Sequence, residues 1–217
     1  MSGKAPCLFR CRILFLILKS ILTALLTAAT LSGSSAPSAP LVAKAPAPVE
    51  PVKVEEVKMV DRWVLPGASS NEARVLSALQ DRGINDRAAL ATIMGNIKQE
   101  SRFHSNICEG GARVGFWSCT RGGYGLIQWT TVDRYNGLGH HARTLGHDPS
   151  TVEAQVSYLF TERQWKGIEP SLMRPGQSIQ YYMQKAYRWL GWGHHGRRTQ
   201  YAWEYFHSLT IKQVPAK

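Results

Sequence analysis

The chain lacks the common signatures of metal and nucleotide chemistry. It has no His-Glu-x-x-His, no cysteine–histidine ladder at zinc spacing, no Gly-x-Ser-x-Gly and no P-loop. Those absences set aside zinc peptidases, zinc-stabilised modules, serine hydrolases of the elbow type and phosphate-cradling enzymes. The seven histidines include the neighbours His140-His141 and His194-His195, and adjacent histidines usually point different ways. The expected metal content is therefore none, and no cofactor is called for. Acid is scarce as well, with 15 Asp and Glu against 26 Lys and Arg, for a net charge of +11. Residues 61–217 hold 19 basic and 12 acidic side chains, leaving +7 on that segment. A surface of this kind suits an anionic partner. Apart from Arg197-Arg198 the basic residues are scattered, and no nucleic-acid-binding module is present, so nucleic acid is not the expected partner. No internal repeat is visible.

The front of the chain differs from the rest. Lys4, Arg10 and Arg12 precede an apolar run from Ile13 to Leu31, interrupted by Lys19. A basic stretch before such a run marks a signal peptide or an N-terminal membrane anchor, and we assign residues 1–31 to it. The run is just long enough to span a bilayer, but a central lysine costs about 2.5 to 3.5 kcal/mol there, which makes residues 13–31 a marginal anchor. Both readings imply an exported location, periplasmic or in the cell envelope. Residues 32–62 form a linker rich in proline and alanine, with Pro37, Pro40, Pro46, Pro48 and Pro51 favouring extended polyproline II. Residues 63–212 are left to build the folded domain.

That domain reads as mainly α. Ser69 with Glu72 makes a capping box before Val75, Leu76 and Leu79, and Gly83 closes the segment. Asp86 caps a helix beginning at Arg87, with Leu90, Ile93, Met94, Ile97 and Ser101 at the spacing of one buried face. Residues 131–146 read as helical despite Gly137 and Gly139. Ser150 with Glu153 makes a second box, Ser178 opens a further helix, and a last one runs from Arg197 to Leu209. Between Phe103 and Gln128 lie six glycines and two cysteines, which predicts a small β-hairpin or irregular lobe. Cys108 and Cys119 within it would form a disulfide in an oxidising compartment, worth about 3 kcal/mol by loop entropy, and stay free thiols in the cytosol.

Chemistry concentrates in two pieces. Gly95-Asn96-Ile97-Lys98-Gln99-Glu100-Ser101-Arg102-Phe103 puts one carboxylate at the end of a helix. At 3.6 residues per turn Glu100 lies about 20° from Ile93, on the rim of the apolar stripe. Partial burial and the negative end of the helix dipole both raise its pKa, as a general acid for glycosidic cleavage requires. The second piece, Gly123-Tyr124-Gly125-Leu126-Ile127-Gln128-Trp129-Thr130, is a glycine-punctuated aromatic turn suited to a sugar groove.

In order, the two pieces resemble the phage tail lysozyme family, related to goose-type lysozymes and lytic transglycosylases. There a helix ends in G-N-I-x-x-E-S-x-F and a G-Y-G-L-x-Q-W-T turn follows. The likeness covers about residues 68–210 and implies a lysozyme-like helical domain with the lobe after the catalytic helix. It carries Glu100 over as catalytic acid and Tyr124, Gln128 and Trp129 as substrate-binding residues. The implied activity is peptidoglycan hydrolysis between N-acetylmuramic acid and N-acetylglucosamine. The rivals are a lytic transglycosylase using the same Glu100 and a non-catalytic, wall-binding virion protein. The partner is the peptidoglycan glycan strand, and the location is envelope, membrane-tethered or virion-associated. For a second carboxylate, Glu109 and Asp133 are nearest in sequence, and neither matches a pattern.

Overall fold

The computed structural model describes residues 57–120 and 122–216; the expected signal or anchor and most of the linker lie outside these residues. Strand β1 (Met59–Val64) is followed by helices α1 (Ser70–Asp81) and α2 (Arg87–Ser101). An irregular lobe with one 3-10 turn at Phe116–Ser118 comes next. Helices α3 (Val132–Thr144), α4 (Val152–Leu159), α5 (Arg163–Leu172), α6 (Ile179–Leu190) and α7 (Arg198–Ser208) follow, and β2 (Thr210–Pro215) closes the chain. The mainly helical, lysozyme-like architecture expected from sequence is the one found.

Helix α2 is the centre. The Asp86 carboxylate accepts the Ala89 amide at 2.9 Å and starts it. Every residue from Ala88 to Ile97 is buried, so α2 is covered all round its middle rather than on one stripe. The sequence conceals this because Ala, Thr, Gly and Asn fill the positions between the large aliphatics. Buried Asn96 donates to the Thr92 carbonyl at 2.8 Å within the same helix. Helices α1, α6 and α7 pack against α2, and α7 lies closest. A β-carbon on Gly95 would fall 2.5 Å from the Ala202 amide nitrogen, so glycine here sets how near the two backbones approach.

The remaining differences from expectation have local causes. The two-stranded antiparallel sheet joins the two ends of the described chain, pairing Met59 with Pro215 and Val64 with Thr210. Residues 59–62, assigned to the linker, therefore belong to β1, and the lobe after α2 holds only isolated bridges. Gln80 fixes the strand by accepting the Trp63 amide at 2.8 Å and donating to its carbonyl at 2.9 Å. The Ser69–Glu72 capping box is present. The cap of α4 is Thr151, because the Ser150 hydroxyl is used elsewhere, accepting the Phe116 amide at 2.9 Å. Helix α5 is not anticipated; it forms with Pro170 inside it because Trp165, Ile168 and Leu172 bury its face. Among the described residues no helix is long and apolar enough to cross a membrane.

Gly95→Ala is expected to destabilise the domain by about 2 kcal/mol through overpacking, despite about 1 kcal/mol of helix propensity gained. Urea unfolding measures this, and a variant as stable as wild type would show that the crossing relaxes freely.

Candidate active site

Glu100 stands in the last turn of α2, where the helix emerges from the core. Its Oε1 accepts from the Arg198 Nη2 at 2.6 Å, with side-chain exposures of 17% and 6%. Arg198 opens α7 and is held from several sides. Its Nη1 reaches the Asn96 carbonyl at 3.4 Å, and its guanidinium lies 4.7 Å from the Trp192 ring centroid. The Gln99 side chain accepts the Arg197 amide at 2.9 Å, tying the entry of α7 to the end of α2. Gly191, in the left-handed region at φ +64°, ends α6 and releases the loop that carries Trp192 and His194.

Burial lifts the Glu100 carboxyl above its ordinary pKa, and the charges of Arg198 and then Arg134 oppose that lift. Burial also draws the Arg198 guanidinium down, with Glu100 acting against it. The net effect is a half-buried acid biased toward its neutral form beside a cation that stabilises its anion. No hydrogen bond engages Glu100 Oε2 among the described residues.

Two clefts meet at Glu100. One, of about 370 Å³, is lined by Glu100, Ile127, Gln128, Thr130, Thr131, Arg134, Leu190, Trp192, His194 and Arg198, with Gly191 and Gly193 between. The other, of about 280 Å³, is lined by Gln99, Glu100, Ser101, Arg102, His104, Ile107, Gly111 and Arg113. Glu100 is the one carboxylate among the described residues of both walls. A larger cavity, of about 850 Å³, lies between the terminal sheet and α1, but its single acid, Asp81, is paired to Arg62 at 2.6 Å.

The turn at 123–130 is a tight loop in which Tyr124 and Trp129 exchange backbone hydrogen bonds of 3.2 and 3.0 Å. Ser101 Oγ donates to the Leu126 carbonyl at 2.8 Å, which fixes the turn against α2. Gln128 is partly exposed and lines the first cleft. Tyr124 and Trp129 do not line the groove, for both are fully buried. Tyr124 donates to the Val114 carbonyl at 2.9 Å, and Trp129 Nε1 donates to Glu162 at 3.0 Å. Glu162 also receives a bidentate pair from Arg134, at 2.7 and 3.0 Å, which aims Arg134 at the cleft. Of the two acids nearest in sequence, Glu109 accepts the Gly123 amide at 2.9 Å and Asp133 is exposed at the start of α3. Neither lines a cleft wall with Glu100.

Sequence reasoning did not find Arg134, Arg198, His194 or the buried Gln155 as parts of the site, and it grouped Trp192 with the aromatics that could stack on sugar rings. Gln155 accepts the Leu126 amide at 2.8 Å and donates to the Ser105 and Pro149 carbonyls at 2.6 and 2.8 Å. The Arg197-Arg198 doublet was the one available signal, and it reads as surface charge until α7 is packed.

Cys108 and Cys119 are bridged, with 5.6 Å between their Cα atoms, and close the lobe beside the second cleft. The fold and the site together define a helical domain that presents one half-buried acid to a groove. Residues 70–207 match the phage tail lysozyme family, to which this chain belongs. The family carries a lysozyme-like, cell-wall-degrading role with peptidoglycan as substrate. No curated protein and no solved structure gives a match.

Cys108→Ser with Cys119→Ser is expected to cost about 3 kcal/mol of stability. Thermal unfolding in oxidising and reducing buffer checks it; identical melting in the two conditions would refute a bridge that matters.

Proposed function

We propose that this chain hydrolyses the glycosidic bond between N-acetylmuramic acid and the following N-acetylglucosamine, with Glu100 as general acid. The main support is the position of Glu100 on the wall shared by two clefts: a strand occupying both must cross it. Gln128, lining the first cleft, is a substrate-binding residue in this reading. Oε1 remains the acceptor of Arg198 and Oε2 carries the proton. As the proton moves to the glycosidic oxygen and the C–O bond opens, negative charge returns to Glu100 beside Arg198 and Arg134, which stabilise it. Attack by water on the anomeric carbon completes the cleavage, with the Glu100 carboxylate available to accept a proton from it. Export through residues 1–31, with residues 32–58 as a tether, would bring the domain to the wall.

Glu100→Gln is expected to lower peptidoglycan lysis by at least about 10²-fold with the fold intact. More than half of the wild-type rate would remove Glu100 from the chemistry. Mass spectrometry of the wild-type products should give muramic acid with a free reducing end. Anhydro products, lighter by one water, would mean that the 6-hydroxyl of muramic acid attacks instead, and the enzyme is a transglycosylase.

The ion pair makes a separate prediction. A general acid works while protonated, so activity is present below the pKa of Glu100 and lost as pH rises through it. Arg198 holds that pKa down. In Arg198→Met the alkaline loss of activity should therefore move to higher pH. A profile that stays in place or moves downward would contradict the assigned roles.

A further inference from the structure

The cleft on the Arg102 side of Glu100 is positive, lined by Arg102 and Arg113. Arg102 and Arg113 are exposed, and neither pairs with a carboxylate among the described residues. Among the described residues the one polar partner of the Arg113 guanidinium is Asn106, at 3.5 Å. His104 stands with them, its imidazole held below the ordinary value by burial and by the charges of Arg113 and Arg102. Among the described residues the single acid on this wall is Glu100, and it is turned to Arg198.

Backbone strain falls at the same place. Arg102 and Phe103 are consecutive non-glycine residues in the left-handed region, at φ +50° and +62°. Such residues are strained and persist where the surroundings impose them. Here the Phe103 ring is buried against Tyr205, and Asn71 donates to the Phe103 carbonyl at 2.8 Å. Burial of Phe103 forces the turn, and the turn delivers Arg102 to the cleft two residues beyond the acid.

We propose that Arg102 and Arg113 bind a carboxylate carried by the substituent of muramic acid, and thereby select peptidoglycan over uncharged glycans. The inference rests on the hydrolase reading above. The ligand must hang within about one sugar of the cleaved bond, because this cleft shares Glu100 with the other. Muramic acid bears its lactyl group and peptide stem at that position, whereas anionic polymers attached sparsely along a strand do not recur beside every bond. The carboxylate has two sources, the peptide stem or the lactyl group itself once the stem has been removed.

Binding is measured on Glu100→Gln, so that no substrate turns over, by calorimetry with soluble strands. Three ligands are compared: stem-bearing strands, strands stripped of stems but keeping the lactyl carboxylate, and chitin oligosaccharides with neither. At least one carboxylate-bearing ligand should bind about tenfold or more tightly than chitin, by an amount that shrinks as salt rises. Which of the two holds the advantage names the source. Adding Arg102→Gln and Arg113→Gln should abolish that preference and leave chitin binding unchanged. Equal affinity for all three ligands overturns the proposal, and needs no further variant. So does a preference that survives loss of both arginines, since it would then come from the shape of the lactyl group. Failure to bind any of the three would bring down the hydrolase reading and this inference with it.

Discussion

Helix α7 lies against α2 so closely at Gly95 that no side chain fits between the two backbones. Most of the site follows from that approach. It carries the first turn of α7 to the last turn of α2, where Arg198 meets Glu100 and Gln99 meets the Arg197 amide. A larger residue at 95 would separate the helices and weaken a contact that depends on tenths of an ångström. The packing at the core and the electrostatics at the surface are therefore one constraint.

The pair so formed is not a simple stabilising salt bridge. Arg198 is nearly buried and its Nε has no hydrogen-bond partner among the described residues, an arrangement that costs about 1 to 3 kcal/mol. Burying both charges offsets much of their attraction. Such an arrangement suits a proton donor, which needs burial to hold its proton and a cation to stabilise the anion left behind. Near it stand two further unfavourable features, the strained turn at Arg102-Phe103 and Arg102 and Arg113, neither of which pairs with a carboxylate among the described residues. Their supports lie outside the groove, in Phe103 packed on Tyr205 and in the bridge between Cys108 and Cys119.

Framework and contact surface separate sharply in the 123–130 turn. Tyr124 and Trp129 are the residues one would choose to stack on sugar rings, and both face inward. Trp129 meets Glu162, which in turn orients Arg134, so its influence on the cleft passes through an ion pair. Gln155 fills the space left by Gly125 and fastens three separate backbone segments. A polar side chain with every hydrogen bond satisfied inside the protein looks, in sequence, like any surface glutamine.

Local signals were legible. The Asp86 cap, the Ser69–Glu72 box, the helical class and the rim position of Glu100 each depend on residues within a turn or two of one another, where spacing alone sets geometry. The ordered pair of motifs pointed to the family for the same reason. What spacing could not supply was every relation across the chain. Arg198 lies 98 positions from Glu100, β1 finds its partner at the opposite end of the domain, and the Pro170-bearing α5 forms because its Trp165 face has a core to enter. The sequence by itself determined that a helix would carry Glu100 at the rim of its apolar stripe. Only the tertiary structure decided which cations face that acid and which aromatics are hidden from the groove. Charge and burial act through distance in space, and that distance is set by helices whose packing partners are remote along the chain.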